Sequence, residues 1–152
     1  MAYTSAEARQ ELLDFLAAAI DQIGFGLAAL GAAYEQLDDH NADRLEAELF
    51  GPVRVAYGRA KRAHAQFADR HDLPRRTFEA ASPGLPSTRA KGFIDSAVQA
   101  VTEADAVLAA LQDSGLPAEV GDVELRAAIT DVRSVLGGVR QHARALERTL
   151  GR

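Results

Sequence analysis

Between residues 13 and 37 the large apolar side chains fall at Leu13, Leu16, Ile20, Ile23, Leu27, Leu30, Tyr34 and Leu37, at spacings that alternate three and four without a break. That period belongs to an α-helix with one side packed along another helix, since about 3.6 residues complete a turn. A second unbroken run holds Leu125, Ile129, Val132, Leu136, Val139, Ala143, Leu146 and Leu150. Two alanine-richer stripes lie between them, one from Leu45 through Leu49, Val53, Ala56, Ala60 and Ala63 to Phe67. The other runs from Ile94 through Ala97, Val101, Ala104 and Leu108 to Leu111. Alanine fills 31 of the 152 positions, which favours helix over strand. The length suits one domain, residues 1–152, with a core of its own. The absence of cysteine removes disulfides, thiolate metal sites and cysteine nucleophiles together.

Punctuation sets the helix bounds. Thr4 with Glu7 is a capping-box pattern that opens a first helix over about 5–38. Asp38 to Asn41 reads as a tight turn, with Asn41 capping a second helix over 42–71. Gly51-Pro52 interrupts that helix, because proline removes an intrahelical hydrogen bond, and predicts a kink or two abutting helices. Pro74, Pro83, Gly84 and Pro86 make 72–87 a long connection, with one helical turn expected around Thr77–Ala81. A third helix starts at Ser87 or Thr88 and covers 88–113. Gly115 with Leu116-Pro117 stops it, and Asp122 caps a fourth over 122–150. Short links after the first and third helices require antiparallel neighbours. The expected fold is all-α, an up-down-up-down antiparallel four-helix bundle.

The first helix breaks the amphipathic rule. Its outward positions hold Phe15, Ala18, Phe25, Ala29 and Ala32, and Gly24, Gly26 and Gly31 flank the seam. Interior glycine costs about 1 kcal/mol relative to alanine, so another backbone is expected close by. One reading covers this face with the 72–87 connection or Phe78. The other, preferred here, is a homodimer joined through those five outward residues. Residues 12–33 also have the length of a membrane span, but Asp14 and Asp21 would each cost about 2.5–3.5 kcal/mol near the bilayer centre. The expectation is a buried helix and no membrane partner. The N-terminal residues lack the pattern of a signal peptide, which points to the cytoplasm.

Charge is uneven. The net is -5, yet Arg54, Arg59, Lys61, Arg62, Arg70, Arg75 and Arg76 make 52–76 basic. Antiparallel pairing of the first two helices would set residue i near about 80 − i, bringing Arg59 and Arg62 towards Asp21, and Arg70 towards Gln10 and Glu11. Internal pairing is the leading reading of this patch, ahead of binding another protein or an anion, with nucleic acid third.

Chemistry is sparse. None of His40, His64, His71 and His142 has a glutamate three residues before it, so inward Glu-x-x-His metal pairs are absent, and no metal or cofactor is expected. Tyr57, His64 and His71, seven apart, form either an amphipathic edge or a small polar pocket in which a histidine could act as acid or base. Arg59 and His64 stand at a spacing that resembles the Arg-x4–6-His element of HEPN-type helical ribonucleases, over six residues and with Ala60 after the arginine. The resemblance implies a catalytic Arg59–His64 pair assembled by dimerisation. The residues otherwise favour a non-enzymatic interaction or assembly protein that self-associates through its first helix.

Overall fold

The structure is a computed structural model of the chain and describes residues 5–79, 81–84 and 89–150. Thr4, Ser87 and Thr88, expected in helix caps, lie outside them. The described residues contain helices and no strand. In order these are α1 (Ser5–Tyr34), α2 (Asp39–Leu45), a π-helical turn (Glu46–Phe50), α3 (Gly51–Arg70), α4 (Ala90–Asp113), α5 (Leu116–Val120) and α6 (Val123–Leu150).

Several boundaries differ from expectation for local reasons. Asp38, not Asn41, caps α2: its backbone is extended and its carboxylate accepts the Asn41 N–H at 2.8 Å. The interruption at Gly51-Pro52 takes the form of the π turn. Gly51 N–H bonds the carbonyl of Glu46, five residues back, in the turn directly before the proline. No helical turn forms at Thr77–Glu79, which is irregular. Gly115 and Gly121 sit at φ 76° and 77°, a conformation that suits glycine, and they bracket the unexpected α5.

Contacts fix the helix directions. Phe50 lies against Gly31 and Tyr57 against Gly24, so α3 runs antiparallel to α1. Arg70 pairs with Asp122 and Arg44 with Thr149, so α6 runs antiparallel to α3. Gln112 bonds Thr130 and Arg140 bonds Thr102, so α4 runs antiparallel to α6. Helices α1 and α6 therefore share one direction, and α3 and α4 share the other. The strict up-down-up-down alternation predicted from the sequence does not hold, because α4 is parallel to α3. The 19 residues between Arg70 and Ala90 allow it. Extended, they can reach about 60 Å, whereas α4 is only about 36 Å long.

The most extensive helix pair is α1 with α4. A Cβ at Gly26 would lie 3.3 Å from Val101 Cγ2 and 3.4 Å from the Ala97 carbonyl. Ala97, Ala100, Val101 and Ala104 on α4 are buried, as are Ala19, Ala29 and Ala33 on α1. The small residues of α1 thus meet a partner within the same chain. At the far end of α3, the Asp122 carboxylate accepts from Arg70 Nε and Nη2 at 2.9 and 2.7 Å and caps α6 through Leu125 N–H at 2.9 Å. Burial alone would raise this carboxyl; the bonds from Arg70, Leu125 and His71 outweigh it and hold it at about 2.

Two glycines should respond oppositely to substitution. Gly26→Leu pushes into α4 and is expected to cost about 1–3 kcal/mol. Gly58→Ala meets nothing within 4 Å and should add about 0.5–1 kcal/mol by removing backbone freedom from the unfolded chain. Urea unfolding followed by circular dichroism reads both.

Candidate functional site

The groove between α1 and α3 is crossed by the start of the α3–α4 connection. Asp72 takes a positive φ of 55°, and Leu73 N–H then returns to the Ala68 carbonyl at 2.8 Å. Arg75 Nε bonds Asp69 at 2.9 Å, which holds the bend. Beyond it Arg76 reaches α1, with Nη2 2.9 Å from Asp21 Oδ2. The Arg76 guanidinium also lies 4.8 Å from the centre of the Phe78 ring. Phe78 in turn meets the His64 ring edge-on, with 5.1 Å between centroids.

Beneath this strap is a cavity of about 320 Å³, lined by Asp14, Ala17, Ala18 and Asp21 of α1, His64 of α3, and Pro74 and Arg76 among others. Asp14, Ala17, Ala18 and Asp21 share one face at spacings of three, one and three, and the two alanines leave the space open. His64 is 2% exposed and makes no hydrogen bond among the described residues. Burial lowers its pKa from 6.5; the Arg76 charge lowers it further, and the Asp14 charge partly restores it. The ring is neutral at pH 7 and so carries one donor and one acceptor nitrogen.

A second groove, about 360 Å³, lies between α4 and α6 and is lined by Asp95, Thr102, Arg140, Arg144 and Glu147 among others. Burial, a hydrogen bond shared with Asp95 and the charge of Asp95 raise Glu147 to about 7, against the opposing charge of Lys91.

The candidates named from sequence are dispersed. His71 does not join Tyr57 and His64 in a pocket. The helix ends at Arg70, so His71 leaves the seven-residue register and contacts Asp122 at 2.8 Å. Tyr57 covers Gly24, with Lys61 Nζ 4.2 Å from its ring centre. Burial first, then the charge of Asp21, raises the Tyr57 phenol. Arg59 is exposed and His64 buried, and five positions at about 100° each turn their side chains roughly 140° apart, so the structure does not bring that pair together.

In the basic segment, Arg70 pairs with Asp122 and Glu124, Arg75 with Asp69 and Arg76 with Asp21. Arg54 lies 5.7 Å from the Phe50 ring centre. Arg59 and Arg62 are exposed, and it is Arg76 that reaches Asp21. Of the outward residues on α1, Phe15 is 44% exposed and Ala18 exposed, Phe25 and Ala32 are half-buried, and Ala29 is fully buried. Ala29 is therefore removed from the candidate interface, because it belongs to the core. Helix α1 is long and apolar enough to cross a membrane, and half of its most apolar stretch is buried inside the molecule. Among the described residues no three His, Asp or Glu side chains gather as metal ligands.

Sequence reasoning missed the grouping of Asp14, Asp21 and Arg76 around His64. The seven-residue spacing of the two aspartates across Ala17 and Ala18 was a usable signal. The Asp95–Glu147 pair left none, because it depends on the register of α4 against α6. No protein-family model, curated protein or solved structure matches the chain.

Two titrations test these sites. By NMR, His64 should titrate below 6.5; Arg76→Ala should raise that value and Asp14→Asn lower it further. Since the folded state disfavours His64 protonation, its contribution to stability is intact above pH 6.5 and falls as the pH drops through the folded value. Glu147 has the opposite sign. Its raised pKa favours the folded state when protonated, so that stability fades as pH rises from about 4.5 to about 7. Glu147→Gln should therefore gain stability over the wild type at pH 8, on the order of 1 kcal/mol after allowing for solvent screening, and gain nothing near pH 4. Denaturant midpoints at the two pH values measure the difference.

Proposed function

We propose that this chain is a non-enzymatic interaction module, a four-helix bundle with its second segment bent at the π turn, which self-associates through the outer face of α1. The observation that carries the reading is Phe15. It is 44% exposed on the most apolar helix of the chain. Ala18 is exposed one turn further on, and Phe25 is half-buried beyond it. With Gln22 the three form a strip about 15 Å long. Exposed aromatic surface on a helix that already buries half of its apolar stretch suits a two-fold contact between copies.

The interface proposed here is narrower than the five residues expected from sequence. Gly24 and Gly26 are filled by Tyr57 and α4 of the same chain, and Ala29 by its core. It rests on Phe15, Ala18 and Phe25, with Ala32 at its edge. Pairing of Arg70, Arg75 and Arg76 with acids of the same chain reduces what the basic segment could offer a nucleic acid.

Sedimentation at micromolar concentration should give twice the 16.2 kDa chain mass, and Phe15→Glu should give the single-chain mass with helicity unchanged. A wild-type protein of 16.2 kDa at every concentration, or a dimer indifferent to Phe15→Glu, would overturn the reading.

A further inference from the structure

We propose that the cavity between α1, α3 and the strap at Pro74–Arg76 binds a primary ammonium group carried on a short alkyl chain. The first observation is His64. It is almost wholly buried, lines the cavity and has no hydrogen-bond partner among the described residues. An unbonded ring nitrogen that lines a cavity is open to a donor from a ligand. Its neutral ring offers an acceptor nitrogen to an N–H donor.

The second observation is the charge around that ring. Asp14 and Asp21 stand at the two ends of the cavity, about 10 Å apart along α1. Asp21 already receives the Arg76 guanidinium. Asp14 accepts only the Gln10 amide, at 2.8 Å, which leaves most of its lone-pair capacity open. The chain's own Arg76 therefore shows how a cationic head and its stem lie in this groove, and the Asp14 end offers the same chemistry with no cation bonded to it. Two carboxylates against one paired guanidinium disfavour an anion.

Between the charged ends the wall is Leu13, Ala17, Ala18 and Pro74, which suits methylenes. A primary ammonium has three donors, enough for Asp14 and His64 together; a quaternary ammonium has none and would leave His64 unbonded. The same head group occurs on free alkylamines and on the lysine side chain of a partner protein.

The test is an NMR titration of isotope-labelled full-length protein with n-butylammonium chloride and with Nα-acetyl-lysine methylamide. Sodium chloride and tetramethylammonium chloride serve as controls. The expected result is saturable shifts at His64, Asp14 and Ala17 with butylammonium and salt-like drift with both controls. Asp14→Asn, an exposed change that spares the fold, should weaken binding about tenfold or more. His64→Phe, which keeps the ring and removes the acceptor, should weaken it as well. Equal binding of the lysine derivative assigns the site to a lysine side chain, and its failure where butylammonium binds assigns it to a free amine. Butylammonium shifts that match sodium chloride, equal binding of tetramethylammonium, or indifference to Asp14→Asn would each overturn the proposal.

Discussion

The close approach of α4 to α1 governs the arrangement of everything else. Gly26 removes a side chain where Val101 and the Ala97 carbonyl come within van der Waals distance, and alanines along both helices keep the gap narrow. Across that contact α4 runs antiparallel to α1. Since α3 is also antiparallel to α1, α3 and α4 must run the same way. A chain that ends α3 at one end of the bundle has to return to the other before α4 begins. The 71–89 connection exists for that return. Its path along the α1–α3 groove places Arg76 on Asp21 and Phe78 on His64, and so closes a cavity over a histidine that would otherwise face water.

Electrostatics follow the same geometry. In the basic 52–76 segment the paired arginines stand at the end of α3 and in the connection, where the chain is free to turn: Arg70 on Asp122, Arg75 on Asp69, Arg76 on Asp21. Asp122 links three elements at once, capping α6, holding Arg70 from α3 and contacting His71. Arg59 and Arg62, in the middle of α3, are left at the surface. A helix interior holds each side chain on a fixed bearing, and theirs points away from α1.

Much of the helical content was legible in the sequence, because apolar periodicity reports which residues must be covered regardless of what covers them. Leu13, Leu16, Ile20, Ile23 and Leu30 are all buried, as are Leu125, Ile129, Val132, Leu136 and Leu146. Direction was not legible. Periodicity is blind to polarity, and short links constrain only the helices they join, so the long connection left α4 free to run either way. The glycines of α1 were legible as a close-packing signal but not as to partner, since a neighbour within the chain and a second copy leave the same pattern. His71 misled because a seven-residue spacing holds only while the helix continues, and it stops at Arg70. Around His64 the ring itself stood out, whereas its neighbours Asp14, Asp21 and Arg76 come from two segments that only the fold brings together.

Because α4 running antiparallel to α1 fixes the strap, the cavity and the burial of His64, the distance between the end of α1 and the start of α4 is the quantity to measure. The chain has no cysteine, so a Glu35→Cys, Lys91→Cys variant takes spin labels at those two exposed sites alone. Antiparallel helices put the labels at the same end of the molecule, and pulsed dipolar spectroscopy should return a single short distance of about 20 Å or less. A distance near the full length of α4, roughly 36 Å, would place the start of α4 at the opposite end and contradict the account.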